Sequence, residues 1–110
     1  MMKIPSNAII PSEKLTEYLL VPRPKNDKAQ FLAQAGFTAD RPDELEEAIR
    51  LLIATNEAIQ DRQDIYGTFY QATGDLVGPD GILRVVTVWI LRTVDGQYRF
   101  ITLKPARRNR

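Results

Sequence analysis

The stretch Tyr66–Pro105, YGTFYQATGDLVGPDGILRVVTVWILRTVDGQYRFITLKP, decides the fold. It alternates runs of β-branched and aromatic residues with turn dipeptides, the signature of an antiparallel sheet. Tyr66 to Ala72 reads as a strand rich in aromatics and threonine. Gly74-Asp75 predicts a bend or bulge, and Gly78-Pro79-Asp80-Gly81 a turn. Ile82 to Thr93 reads as a long strand. Its middle, Val85 to Leu91, is apolar on both faces apart from Thr87, as a central strand requires. Asp95-Gly96 is a strong hairpin signal that leads into the strand Gln97–Leu103. Pro105 ends that strand, and Ala106 to Arg110 form a basic tail. Upstream, Glu57 to Asp64 reads as a polar edge strand.

Before residue 57 the period is helical. Ser12 to Leu20 follows Pro11 as a short helix, with Leu15, Tyr18 and Leu19 at i, i+3 and i+4. Val21-Pro22-Arg23-Pro24 stops it, because each proline biases its predecessor away from helix. A second helix is expected from about Asp27 to Ala35, with Asn26 or Asp27 as N-cap. Gly36 stands where a left-handed residue closes a helix, and Phe37 can fold back onto Leu32. The third helix starts at Pro42, with Asp43, Glu44, Glu46 and Glu47 favouring the positive end of its dipole. Leu45, Ala48, Ile49, Leu52 and Ile53 then form one apolar stripe.

The expected fold class is therefore α+β: about three N-terminal helices packed on one face of a four-stranded antiparallel sheet. At 110 residues the chain reads as a single domain, with a helical part at about 12–55, a sheet part at about 57–105 and the basic tail at 106–110. A hydrophobic fraction of 44% with 26% charged residues fits a soluble globular protein. No apolar run has the ~18 residues of a membrane span. The N-terminus lacks an apolar region of signal-peptide length, so a cytoplasmic location is expected.

The chain has no cysteine and no histidine. Disulfides, thiolate catalysis and thiolate metal sites are excluded. So are Ser-His-Asp hydrolysis, Cys-His proteolysis, HExxH metallohydrolysis and any ribonuclease mechanism built on a histidine pair. Catalysis here must use Asp, Glu, Lys, Arg or Tyr. No carboxylate cluster has metal-site spacing, and the Gly78–Gly81 turn lacks the spacing of a phosphate loop. No metal or cofactor is expected. The net charge of +1 conceals a segregation: residues 1–35 balance to +2, residues 36–64 to −5 and residues 65–110 to +4. The basic sheet end favours polyanionic partners.

Five ordered blocks carry a family resemblance: Ile9 to Leu20 (IIPSEKLTEYLL), Lys28 to Phe37 (KAQFLAQAGF), Tyr66 to Tyr70 (YGTFY), Gly74 to Gly81 (GDLVGPDG) and Val85 to Ile90 (VVTVWI). The chain resembles an uncharacterised bacterial domain family that is common in cyanobacteria and occurs at the C-termini of toxin-like proteins. That family is similar in layout to the small ribonuclease toxins that include barnase and the RelE-type proteins. The resemblance implies N-terminal helices followed by an antiparallel sheet, with RNA or a small cognate protein as partner. This chain departs from the pattern where members place a histidine, having Arg23-Pro24-Lys25 there. It has Phe69 where members carry lysine, and Thr102-Leu103-Lys104-Pro105 where they have TAYP.

The histidine-free chemistry that such toxins imply needs Lys and Arg to stabilise a charged phosphorane, and Tyr or Lys to move protons. Lys28, Tyr66, Arg84 and Lys104 are the catalytic set the sequence offers. Thr68 and Tyr70 share a strand face with Tyr66, and Thr87 shares one with Trp89. These four are the expected binding residues if they line an open face; if they face the helices they are core. Arg84 and Arg92 bracket the central strand and suit bidentate phosphate contacts. Lys104, Arg107, Arg108 and Arg110 form a basic end.

Two functions follow. One is a toxin-module-like domain that binds RNA, or a degenerate ribonuclease, acting through the open sheet face. The alternative is a non-catalytic protein-interaction domain, binding a cognate small protein or self-associating through its sheet.

Overall fold

Turn chemistry and strand alternation produce a simple meander. In the computed structural model, which describes residues 2–22, 24 and 28–106, four antiparallel strands lie in the order β1-β2-β3-β4. They are β1 (Ala58–Asp64), β2 (Gly67–Gly78), β3 (Gly81–Arg92) and β4 (Tyr98–Pro105). The turn after β2 closes with Gly78 opposite Gly81, as its sequence predicts. At the next turn the amide of Arg92 donates to the carbonyl of Gln97 at 3.0 Å. β3 is central, between β2 and β4.

Gly74 makes no bend, which corrects the sequence reading, since β2 runs unbroken from Gly67 to Gly78. The glycine serves close approach instead. A Cβ built on Gly74 would lie 2.5 Å from the Asn56 amide nitrogen. A Cβ on Gly78 would collide with the Ala35 carbonyl oxygen and reach 2.9 Å from the Phe37 ring.

The helical part has three α-helical segments: α1 (Ser12–Lys14), α2 (Lys28–Ala33) and α3 (Pro42–Thr55). The first predicted helix divides, because α1 widens into a π-helical stretch, Leu15–Leu19. There the Leu20 amide donates to the Leu15 carbonyl, five residues back, at 3.0 Å. Such π turns are frequent at functional sites. The closing signal of α2 is confirmed: Gly36 has φ +91°, and the Phe37 amide donates to the Leu32 carbonyl at 3.2 Å. The expected N-cap at Asn26 or Asp27 lies outside the described residues, as do Arg23, Lys25 and the tail residues Arg107, Arg108 and Arg110.

All five stripe residues of α3 are buried, and α3 packs against β2. Burying each leucine or isoleucine contributes roughly 1.5–3 kcal/mol. The core joins Leu15, Leu19, Leu32, Phe37, Leu45, Ile49, Leu52 and Ile53 to Ala72, Leu76, Val85, Trp89, Phe100 and Leu103 of the sheet. The register aligns these sheet residues in cross-strand rows: Ala72–Thr87–Leu103 and Tyr70–Trp89–Phe100. Trp89 and Phe100 pack edge to face at 5.3 Å between ring centroids.

The alternate rows are Phe69–Ile90–Arg99, Gln71–Val88–Thr102, Thr73–Val86–Lys104 and Asp75–Arg84. In β4 the register shifts between Phe100 and Thr102, leaving Ile101 as an extra residue. Ile9 pairs in parallel with Arg99 on the outer side of β4, and Met2 bridges Ala58 of β1.

Candidate functional site

Three polar side chains from distant parts of the chain meet beside β4. The Lys28 ammonium, at the start of α2, donates to the Thr102 hydroxyl at 2.8 Å and to the Tyr18 hydroxyl at 3.2 Å. It also lies 5.3 Å from the centroid of the Tyr18 ring. Lys14 stands over the same ring at 5.6 Å. Tyr18 projects from the π-helical stretch, one turn from Lys14. Lys14, Tyr18, Lys28 and Thr102 are all partly exposed, so a solute can reach the cluster.

The electrostatics favour the phenolate at this point. Tyr18 is held below its ordinary pKa of 10.0, first by its hydrogen bond with Thr102, then by Lys28, with Lys14 adding a smaller attraction. Tyr98 shows the opposite behaviour, raised by burial and then by the neighbouring Tyr70 hydroxyl.

β4 presents cations on either side of Thr102. Arg99 is half-buried and Lys104 exposed, and among the described residues neither side chain has a hydrogen bond or ion pair. Lys104 lies opposite Val86, one row from Arg84, which pairs with Asp75 at 3.1 Å. At the other end of β3, Arg92 stands 3.7 Å from Asp95. Phe69 lies under the Arg62 guanidinium at 3.9 Å.

The sequence-derived set divides. Lys28 and Lys104 are both placed at β4: Lys28 bonds Thr102, and Lys104 stands two residues along the strand from it, about 7 Å. Arg84 lies one row further along. Tyr66 does not join them: it precedes Gly67, whose partner Arg92 stands four residues from Val88 on β3. That places Tyr66 about 13 Å or more along the strands from the Thr102 row.

The expected binding surface also needs correction. Thr87 and Trp89 have 0% exposure and present nothing to a ligand. The Trp89 indole donates to the Thr87 hydroxyl at 2.8 Å, and that hydroxyl donates to the Ala72 carbonyl at 2.8 Å. They are core, the other branch of the sequence expectation. Tyr70 is half-buried against the core, its ring 5.7 Å from that of Tyr98, and Thr68 is half-buried opposite Leu91.

Sequence reasoning overlooked Tyr18 and Thr102. Tyr18 sits at helical spacing with Leu15 and Leu19, which reads as core stripe. Thr102 lies 74 positions from Lys28, and no local pattern links them.

These features define an α+β domain with a polar Lys-Tyr-Thr cluster against its fourth strand. The chain belongs to the family described as Domain of unknown function (DUF6883), whose model matches residues 3–107. No curated protein and no solved structure matches it. Among the described residues no helix is long and apolar enough to cross a membrane.

Proposed function

We propose that this chain is a toxin-module-like domain that binds single-stranded RNA along β4, in the cytoplasm. On this reading α3 backs the Trp89 face of the sheet, and the nucleic acid follows Arg99, Thr102 and Lys104 on the other. The observation that carries this reading is the placement of Arg99 and Lys104, without ion-pair partners among the described residues, on either side of the Lys28–Thr102 bond. Arg84 extends the basic strip along the same face, and Val86 and Val88 offer half-buried apolar ground between the charges. Cations beside apolar surface suit a strand whose phosphates are neutralised while its bases rest on the sheet.

The test is fluorescence anisotropy with a mixed-sequence RNA oligonucleotide across a salt series. Four phosphate contacts, by Lys28, Arg84, Arg99 and Lys104, correspond to a log–log slope of about −3. The double variant Arg99→Ala/Lys104→Ala should weaken binding at least tenfold and lower that slope. Absence of wild-type binding at low salt would remove the proposal.

A second reading, a non-catalytic protein-interaction domain, is favoured by another observation. Ile65, Tyr66 and Val94 are 82%, 70% and 77% exposed and lie together around a groove of about 450 Å³ at the far end of the sheet. A small cognate protein or a second copy of the chain could cover such a patch. Sedimentation of the wild type beside Ile65→Ser/Val94→Ser tests self-association; identical monomers would exclude the homo-oligomer.

A further inference from the structure

The Tyr18 cluster is unlike the rest of the basic strip. Arg99 and Lys104 project as separate cations, whereas Lys28 bonds both Tyr18 and Thr102. A phenol that accepts from one ammonium and has a second within 5.6 Å of its ring is placed to give and take a proton, which electrostatic attraction of a polyanion alone does not require. In a chain without histidine, such a phenol is a suitable general base.

We propose that Tyr18, Lys28 and Lys104 form the catalytic centre of an RNA transesterification, with Tyr18 as base, Lys28 as phosphorane stabiliser and Lys104 as acid. The inference rests on the RNA reading above. RNA carries its own nucleophile, so the site need supply only proton transfer and charge stabilisation.

The Tyr18 phenolate oxygen takes the proton of a ribose 2′-hydroxyl. The 2′-oxygen attacks the adjacent phosphorus, forming a new O–P bond. The Lys28 ammonium, 3.2 Å from the phenol oxygen, faces the charge that builds on the non-bridging oxygens. The P–O5′ bond breaks, and the leaving oxygen takes a proton from Lys104. The products are a 2′,3′-cyclic phosphate and a 5′-hydroxyl, with no net change in protons. Solvent exchange then returns Tyr18 and Lys104 to their starting states.

The separation of roles follows from geometry. Tyr18 and Lys28 are too close together to serve opposite sides of one phosphorus. Lys104 is two residues along β4 from Thr102, about 7 Å, which leaves room for the phosphorus between base and acid. Tyr66 lies at the wrong end of the sheet for either role.

The experiment incubates the full-length protein with a fluorescent single-stranded RNA, and with its all-2′-deoxy counterpart, and identifies products by mass spectrometry. The expected result is cleavage of RNA to cyclic-phosphate ends, with the deoxy strand bound but intact. Tyr18→Phe keeps the ring and should retain RNA affinity within about twofold while losing roughly 10²-fold or more of the cleavage rate. Circular dichroism checks that it folds. The wild-type rate should rise with pH towards the pKa of Tyr18, lowered by its hydrogen bonds with Thr102 and then Lys28.

RNA binding without cleavage by the wild type overturns this inference and leaves the binding proposal standing. No binding overturns both. Cleavage that survives Tyr18→Phe, or that spares neither RNA nor DNA, overturns the assigned chemistry.

Discussion

The indole of Trp89 and the hydroxyl of Thr87, two residues apart on β3, are joined by a 2.8 Å hydrogen bond inside the core. The relation is complete, since the hydroxyl passes its own proton to the Ala72 carbonyl, and no buried side-chain polar atom among the described residues lacks a partner. Thr87→Val keeps the shape and removes the acceptor. It should cost roughly 1–3 kcal/mol in urea denaturation, because the indole N–H is left buried and unpaired. In a Trp89→Phe background the same change should cost measurably less, as read by far-ultraviolet circular dichroism.

The glycines of β2 predict an order of tolerance. Gly74→Ala meets the Asn56 side chain, which can move, whereas Gly78→Ala meets the Ala35 backbone carbonyl, which cannot. Gly78→Ala should therefore lower the melting temperature more than Gly74→Ala. Adding Asn56→Gly should recover part of the Gly74→Ala loss and none of the Gly78→Ala loss. Equal losses in the two single variants would contradict the close approach at Gly78.

Ile49 lies on the buried stripe of α3 with 0% exposure. Ile49→Asp places an unpaired carboxylate in the core, so the domain should not fold. A folded variant with wild-type melting temperature would refute the packing of α3.

Two tyrosines, Tyr18 and Tyr98, should titrate on opposite sides of the ordinary value. Ultraviolet titration should show a phenol below the ordinary 10.0, abolished by Tyr18→Phe, and one above it, abolished by Tyr98→Phe. The signs for stability are opposite. The raised pKa of Tyr98 gives stability that is present below the unfolded value and lost as pH rises through the folded one. The lowered pKa of Tyr18 gives stability that is present above the unfolded value and lost as pH falls through the folded one. Alkaline unfolding should accordingly be less steep in Tyr98→Phe than in the wild type.

Much of the architecture was legible where one short-range signal decided it. The α3 stripe, the Gly36 helix end, the Gly78–Gly81 and Asp95-Gly96 turns and the polar edge strand each depend on a few consecutive residues. The errors have equally specific causes. Gly74 carries a turn residue's name but is there to make room for Asn56. The π turn at Leu15–Leu19 leaves the apolar spacing of its helix unchanged, so periodicity could not reveal it.

The sequence by itself determined the α+β class, the order of its helices and strands, and the exclusion of histidine and cysteine chemistry. Tertiary structure alone decided which face of β3 is core. Val85 to Leu91 is apolar on both sides, so a period of two holds no choice between them, and Trp89 is buried by its register with Tyr70 and Phe100. It alone also joined Lys28 and Tyr18 to Thr102. Those contacts form only after the sheet has fixed β4 and the helical segments have docked beside it. No rule of local spacing reaches across the 74 positions between Lys28 and Thr102.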